Sequence, residues 1–415
     1  MCSWSWKSSW LAIGSRLDEG DGKPHRRHHD RQNNKGMVEQ SVRKIRVGVL
    51  FGGRSGEHEV SLMSAHSVLA ALDPAKYEVT QIGISHQGEW LFGDNVLEKM
   101  VTGRLDALHP VSMLPDPTRP GLFRIRPARS GEVLEQLAEL DVVFPVLHGT
   151  FGEDGTLQGF LEMADLAYVG AGVLGSSLGM DKAVFKDVMR THQVPVVESL
   201  VLLRSEISAD IEVALAKAEM VSAYPLFIKP ANLGSSVGVS KCRNRSDLLE
   251  GLLDAIRYDR RVLVERGVNA REIEISVLGN DQPQASIPGE VVPAADFYTY
   301  DAKYHDDRSL LLIPAPLSDE MVAEVQRLAL RAFQASDCAG MARVDFLLDK
   351  DNQQLYVNEI NTIPGFTKIS MYPKLWEASG LPYPKLVDRL IELGLERKAD
   401  RDRTERRYDR QGAGE

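Results

Sequence analysis

The chain is poor in cysteine, in long apolar runs and in basic charge, and each shortage closes off a class of function. Its three cysteines, Cys2, Cys242 and Cys338, lie far apart and match neither a zinc-ligand spacing nor a disulfide framework. A reducing, cytoplasmic setting is the simplest fit. No stretch approaches the roughly 20 apolar residues that span a bilayer, so no membrane partner is expected. With 49 Lys and Arg against 59 Asp and Glu, the net charge is −10, the wrong sign for a face that neutralises nucleic-acid phosphates. A P-loop, G-x-x-x-x-G-K-[ST], is also missing.

What remains is ordinary globular material, 43% hydrophobic and 26% charged over 415 residues, enough for two or three domains. The opening MCSWSWKSSWLAIGS has a short apolar patch but no convincing cleavage site, and the polar HRRHHDRQNNKG comes after it. Lacking periodicity, residues 1–43 are expected to be a disordered extension, with Met37 as an alternative start and the His/Arg cluster read as a solvated tail.

Lys44 to Phe51 reads as a buried strand running into Gly52-Gly53-Arg54-Ser55-Gly56-Glu57-His58-Glu59, followed by a helix with apolar spacing from Val60 to Leu69. Strand, Gly-rich loop and helix open a doubly wound α/β domain and place a ligand at the helix N-terminus. The loop is not G-x-G-x-x-G, and Glu57 and Glu59 would repel a phosphate, which disfavours an NAD-dependent oxidoreductase. Glu57 suits an ammonium-bearing ligand, or simply favours the helix dipole. Tyr77 to Ser85 is a second strand, and Gln87 to about Arg129, rich in Pro, Gly and charge, is read as an irregular insertion with GEWLF and GLFRIRP as short possible strands. A strand from Asp141 ends at His148 beside the Gly-rich GTFGEDG, ahead of a helix from Thr156 to Met163. That position is the ligand edge of an open sheet, and a structural histidine is the alternative.

Met180-Asp181-Lys182-Ala183 begins a helix that ends near His192. Strand Val197 to Leu203, helix Ile211 to Ala218 and strand Pro225 to Pro230 come next, with Lys229 after three apolar residues. The loop ANLGSSVGV, holding Ser235 and Ser236, offers N–H groups and hydroxyls to phosphate oxygens. Glu265 closes a strand, where it accepts from an amine or hydroxyl or is an ordinary strand-end acid. Glu272 to Leu278 alternates as the next strand. FYTYDAKYHDDRS, without an apolar period, reads as a lid. Helix Ser318 to Ala335 precedes a hairpin, and a last helix, Pro384 to Glu396, ends in a charged tail that frays after Arg397.

The hairpin RVDFLLDKDNQQLYVNEINTIPGF carries the most chemistry. Alternation places Arg343, Asp345 and Leu347 on one face and Val344, Phe346 and Leu348 on the other. On the returning strand it places Leu355, Val357, Glu359 and Asn361 together. Folding about Asp349 to Asn352 then brings Arg343 and Asp345 to Glu359, and oxygen ligands without nearby Cys or His suit magnesium or manganese. A solvated hairpin with ordinary exposed acids is the bland alternative.

Taken in order, GGRSGEHEVS, LHGTFGEDGTLQG, GMDK, IKPANLGSSVGVSK, FYTYDAKY, ARVDFLLD and NEINTIPGF resemble the D-alanine-D-alanine ligases of the ATP-grasp superfamily, from about Lys44 to Arg397. The resemblance implies an α/β chain, α+β in its ATP-grasp part. An N-terminal open α/β domain over 44–170 would precede two ATP-grasp domains, over 171–267 and 268–398, that sandwich the nucleotide, with a tail over 399–415. It implies ATP-dependent joining of two D-alanines through an acyl phosphate, for peptidoglycan precursors, in a cytoplasmic homodimer.

By the same resemblance, Asp345, Glu359 and Asn361 hold Mg2+ or Mn2+, two ions in all, and Lys182, Lys229, Ser235, Ser236, Glu265 and Glu272 bind ATP, Glu272 at the ribose. Glu57 binds the first D-alanine's ammonium, with His148 nearby. Ser235 and Tyr304 join Glu57 in closing the lid, while Lys303 and Ser370 hold the second carboxylate. Arg343 and the Gly365 N–H serve the oxyanion. Lys368 adds a positive charge where a neutral residue is expected. Tyr304 favours D-alanine over D-lactate as second substrate, and D-serine less firmly. A non-catalytic nucleotide-binding protein is the other alternative, against which the retained acids and Arg343 speak.

Overall fold

The strand IRVGVLFG carries apolar side chains on both faces, which only a sheet covered on both sides can bury. A computed structural model describes residues 43–234, 237–293, 310–367 and 369–406. Lys44 begins the unit that carries all three sheets. The expectations for the N-terminal extension, for Ser235, Ser236, Lys303, Tyr304 and Lys368, and for the lid before Leu310 lie outside the described residues.

The first sheet is built from β1 (Ile45–Gly52), α1 (His58–Ala71), β2 (Tyr77–Ile84), β3 (Trp90–Phe92), α2 (Val96–Val101), β4 (His109–Met113), β5 (Leu122–Ala128), β6 (Gly131–Ala138), β7 (Val142–Val146), α3 (Thr156–Met163) and β8 (Ala167–Tyr168). The strand order is β6-β5-β4-β3-β2-β1-β7-β8, with β1 parallel to both β2 and β7. Val47, Val49 and Phe51 pack in one core with Leu62 and Ala65 of α1, while Leu50 packs in another with Leu157 and Leu161 of α3. The stretch read as an irregular insertion, Gln87 to about Arg129, instead holds β3, β4 and β5, which with β6 form the antiparallel half of this sheet. β3 and β5 fall on GEWLF and GLFRIRP, while β4 is short and interrupted by Pro110, which hides its alternation.

Next come α4 (Val173–Met180), α5 (Lys182–Thr191), β9 (Ser199–Leu203), α6 (Arg204–Ala209), α7 (Ile211–Glu219), β10 (Leu226–Pro230), β11 (Ser240–Cys242), α8 (Arg245–Tyr258) and β12 (Arg261–Arg266). Their strands run antiparallel in the order β11-β10-β12-β9. Leu226, Ile228 and Val264 face Leu248 and Leu252 of α8, which turns Phe227, Lys229 and Glu265 to the opposite side. Asp181 caps α5, its side chain accepting from the Val184 N–H at 3.0 Å. Helix α4, which the sequence reading missed, opens on Gly170-Ala171-Gly172-Val173-Leu174-Gly175, a match to G-x-G-x-x-G that the reading passed over. Here close packing explains a glycine: a side chain at Gly175 would meet the Asp337 carbonyl oxygen at 2.8 Å.

The last sheet comprises β13 (Ala270–Gly279), β14 (Gln284–Ala285), β15 (Gly289–Val292), β16 (Leu310–Leu312), α9 (Asp319–Ala335), β17 (Gly340–Asp349), β18 (Leu355–Asn361), α10 (Met371–Ala378) and α11 (Tyr383–Arg401). Its order is β16-β15-β13-β17-β18, with β14 beside β13. Ile273, Ile275, Val344 and Phe346 pack with Leu328 and Ala329 of α9. Glu272, Glu274, Arg343 and Asp345 therefore share the other face.

Strand β18 departs from strict alternation. Asp345 pairs with Glu359 but Phe346 pairs with Val357, so Asn358 is an extra residue in the ladder, a β-bulge. Leu355 and Val357 lie in the core, and the parity change after them turns Glu359 and Asn361 to the face of Asp345 while Ile360 goes inward. The expected grouping of all four on one face is thus corrected, although the expected meeting of Asp345 and Glu359 stands. The terminal helix also runs beyond the expected Glu396. Arg397 lies 4.0 Å over the Tyr168 ring, and Lys398 and Arg401 each reach Asp165 at 3.1 Å, so the chain stays helical to Arg401.

Inserting one alanine after Asn358, with the bulge kept, changes the parity a second time and drives Glu359 and Asn361 into the core. The variant is expected to lose its cooperative thermal transition, followed by circular dichroism, whereas Asn358→Ala keeps it.

Candidate active site

The polar faces of the second and third sheets, together with the loops at the carboxyl ends of β1 and β7, enclose a cavity of about 1350 Å³. Every expected site residue that falls among the described residues lines it: Glu57, His148, Lys182, Lys229, Glu265, Glu272, Arg343, Asp345, Glu359, Asn361, Gly365 and Ser370. Such convergence from separate sheets is the default signature of a binding site.

At the metal-side wall, Arg343 forms a fork with Asp345, Nε and Nη2 each donating at 2.7 Å, and its Nε also stands 3.0 Å from Glu274. Asn361 Nδ2 donates to Asp345 at 2.9 Å, and Lys182 Nζ lies 3.5 Å from Glu359. Among the described residues no three His, Cys, Asp or Glu side chains converge on one point. Two carboxylates and an amide make a partial oxygen shell, which fits a hard cation that takes its other ligands from phosphate and water. Binding there requires Asp345 to exchange its Arg343 fork for the ion, and Asn361 to present its amide oxygen.

On the second sheet, Glu265 is buried between two ammoniums, Lys229 at 2.5 Å and Lys186 at 2.7 Å. Burial would raise this carboxyl, but Lys186 and Lys229 outweigh it and hold it down at about 2. Burial lowers the Lys186 ammonium, whereas Lys229, also desolvated, is raised by Glu265, Glu359 and Glu272. Lys229 also reaches the bulged Asn358 at 3.3 Å. Sequence reasoning missed Lys186. The available signal was a lysine on the buried stripe of α5, beside Phe185 and Met189.

At the first-sheet side, Glu57 is the N-cap residue of α1, is only 8% exposed and makes no side-chain cap bond. Gly149, at φ +73°, must be glycine twice over, because a side chain would also meet Glu57 Oε2 at 2.5 Å. Ser370, just before α10, accepts from the Thr367 N–H at 3.0 Å. His148 is buried with both ring nitrogens engaged, Nδ1 with the Ile363 carbonyl at 3.0 Å and Nε2 with Ser64 Oγ at 3.1 Å. Burial holds its imidazole below the usual range against the pull of Glu57. Glu153, absent from the expected set, also lines the cavity and accepts from the Gly149 and Ile363 N–H groups at 2.7 and 3.0 Å. Burial, and then Glu57, raise its carboxyl, while the Gly149 and Ile363 N–H groups pull it back down.

Family models described as D-ala D-ala ligase N-terminus and D-ala D-ala ligase C-terminus match residues 46–171 and 188–392. The chain belongs to the D-alanine–D-alanine ligase family. It is 50% identical over 363 residues to the D-alanine–D-alanine ligase of Natranaerobius thermophilus, covering 87% of this chain and 98% of that one. It is 51% identical over 360 residues to that of Heliobacterium modesticaldum, with 87% and 97% covered. Among solved structures, the D-alanine-D-alanine ligase from Coxiella burnetii matches with TM-score 0.73 and 37% identity, over 87% of this chain and 97% of that one. The VanG D-Ala:D-Ser ligase from Enterococcus faecalis matches with TM-score 0.75 and 33% identity, over 85% and 100%. These ligases carry the ATP-grasp fold, and this chain shares it.

Removing the carboxylate of the Lys186–Glu265–Lys229 cluster leaves two buried ammoniums facing each other. Glu265→Ala is expected to lose about 3–5 kcal/mol in urea unfolding at pH 7. The folded carboxyl stands at about 2 against 4.5 ordinarily, so its stabilisation is complete well above 4.5 and is lost as the pH falls toward 2. The gap between wild type and variant should therefore narrow on acidification.

Proposed function

We infer that the protein joins two D-alanines, with ATP converted to ADP and phosphate, to supply a peptidoglycan precursor. The observation that carries this reading is the meeting, in one cavity, of the Asp345–Glu359–Asn361 oxygen set with Arg343, Lys182 and Lys229, in a chain half identical to ligases so named.

A carboxylate is a poor acylating agent, because oxide is its leaving group. Transfer of the γ-phosphoryl of ATP to the first D-alanine's carboxylate releases ADP and makes an acyl phosphate. The neutral amine of the second D-alanine then attacks, phosphate departs, and the amine's proton is lost. Glu57, at the helix start, holds the first ammonium, and Ser370, with Lys303, holds the second carboxylate. Lys182 and Lys229 neutralise phosphate oxygens while Glu265 and Glu272 line the nucleotide pocket. A divalent ion on Asp345, Glu359 and Asn361, when bound, supplies further neutralisation of the phosphates. Arg343, still held by Glu274, turns its guanidinium to the tetrahedral oxyanion with the Gly365 N–H. Ser235, Ser236 and Tyr304 complete the closed site, and His148 supports the first substrate through its backbone bond to Ile363 rather than through an open ring nitrogen.

The same reading takes 44–170, 171–267 and 268–398 as the three domains, a cytoplasmic setting and a homodimer. D-serine as second substrate is kept in view by the likeness to the D-Ala:D-Ser ligase, though identity is higher to the ligases of Natranaerobius thermophilus and Heliobacterium modesticaldum.

Phosphate release with ATP and magnesium is expected with D-alanine as acceptor, and to be far weaker with D-serine or D-lactate. No release with any of the three would sink the reading. Arg343→Ala is expected to cost about 10²–10³-fold in dipeptide formation, the scale of one lost oxyanion donor, while nucleotide affinity, read by calorimetry, stays near wild type. Equal loss of both would refute its assigned role.

A further inference from the structure

The oxyanion donor assigned above, the Gly365 N–H, sits in a loop between β18 and α10 that makes no sheet bonds of its own. Its backbone is held by three side chains from the first sheet's elements, besides Tyr383 of α11, whose hydroxyl donates to the Phe366 carbonyl at 3.0 Å, and Ser370, which accepts from the Thr367 N–H. Glu153 takes the Ile363 N–H at 3.0 Å with one oxygen and the Gly149 N–H at 2.7 Å with the other. His148 takes the Ile363 carbonyl at 3.0 Å, so both polar groups of that one residue are bound by the 148–153 loop. Ser64 Oγ of α1 lies 3.1 Å from His148 Nε2 and accepts from the Phe366 N–H at 3.2 Å.

These bonds assign one another. A carbonyl only accepts, so His148 carries its proton on Nδ1, and Nε2 accepts from the Ser64 hydroxyl, whose lone pair is then open to the Phe366 N–H. The chain Ile363 carbonyl, His148, Ser64, Phe366 N–H is closed, and it brackets Gly365 from both sides in sequence. Glu153 fixes the bracket against Gly149, the residue pressed on Glu57.

We propose that Glu153 is a positioning residue which, with Ser64 and His148, sets the Gly365 N–H in register with the first-substrate pocket at Glu57. This rests on the ligase reading for its chemistry, though not for its geometry. Two acceptor oxygens are required at position 153, one for each N–H. A glutamine has one, and its amide group would oppose the other N–H, so Glu153→Gln opens the bracket at nearly constant volume. A displacement on the order of 1 Å at the reacting centre costs about 10²-fold in rate. The lysines and acids that hold nucleotide are not among the bracket's partners and keep their places.

The test compares full-length wild type with Glu153→Gln. Expected are a fall in kcat of at least about tenfold, on the scale of such misplacement, an ATP KM close to wild type, and faster amide exchange at Ile363. A wild-type kcat, unchanged protection of Ile363, or an ATP KM that worsens in step with kcat would each overturn the proposal. Should Glu153→Gln not fold, Ser64→Ala takes its place. Lower kcat at constant ATP KM with faster Phe366 exchange supports the bracket, and wild-type behaviour overturns it. If wild-type protein releases no phosphate, the ligase reading fails, and the exchange measurements alone decide whether the bracket holds the loop.

Discussion

The buried charges of the second and third sheets are gathered at one cavity and balanced there by close partners. Glu265 stands between Lys186 and Lys229, Arg343 between Asp345 and Glu274, and Glu359 beside Lys182. An isolated charge so placed would shift its pKa and neutralise, because burial strips its water away. Paired, the groups arrive preorganised. They also become exchangeable, since an entering phosphate or cation replaces a protein counter-ion rather than meeting bare charge. The Arg343–Asp345 fork is the plainest case, because a cation taken up by Asp345 would also free donors of Arg343.

The fold serves that balance by giving each sheet one greasy face and one charged face. Ile273, Ile275, Val344 and Phe346 fasten the third sheet to its helix, and so commit Glu272, Glu274, Arg343 and Asp345 to the cavity. Leu226, Ile228 and Val264 do the same for Lys229 and Glu265. The first sheet adds glycine-lined loops in place of a charged strand face, which lets backbone approach closely at Gly149. The long terminal helix returns to it, with Leu386 and Leu390 in the core of Val47 and Phe51, and closes the chain on its own beginning.

Much of the site was legible in the residues because its chemistry is local in sequence. Arg343 and Asp345 are two apart on one strand, Lys229 ends an apolar run, and Glu57 and His148 each follow a buried strand into a glycine-rich loop. What was illegible depends on pairing partners. In the antiparallel half of the first sheet, β4 is five residues long and holds Pro110, so its alternation does not stand out. Lys186 reads as one more helix lysine until Glu265 is placed beside it, and Glu153 as one more loop acid until two N–H groups are found on its oxygens.

The sequence by itself determined the donor set, because residue types and their spacing decide which groups can bind phosphate, ammonium or a hard cation. It also determined which strand faces are apolar, since that follows from the two-residue period. Only the tertiary structure decided the parity of β18, where the Asn358 bulge turns Glu359 to Asp345, and the capture of Ile363 by His148 and Glu153. Both rest on hydrogen bonds between segments distant in the chain, and a ladder's register or a loop's anchorage exists only once the partner backbone is in place.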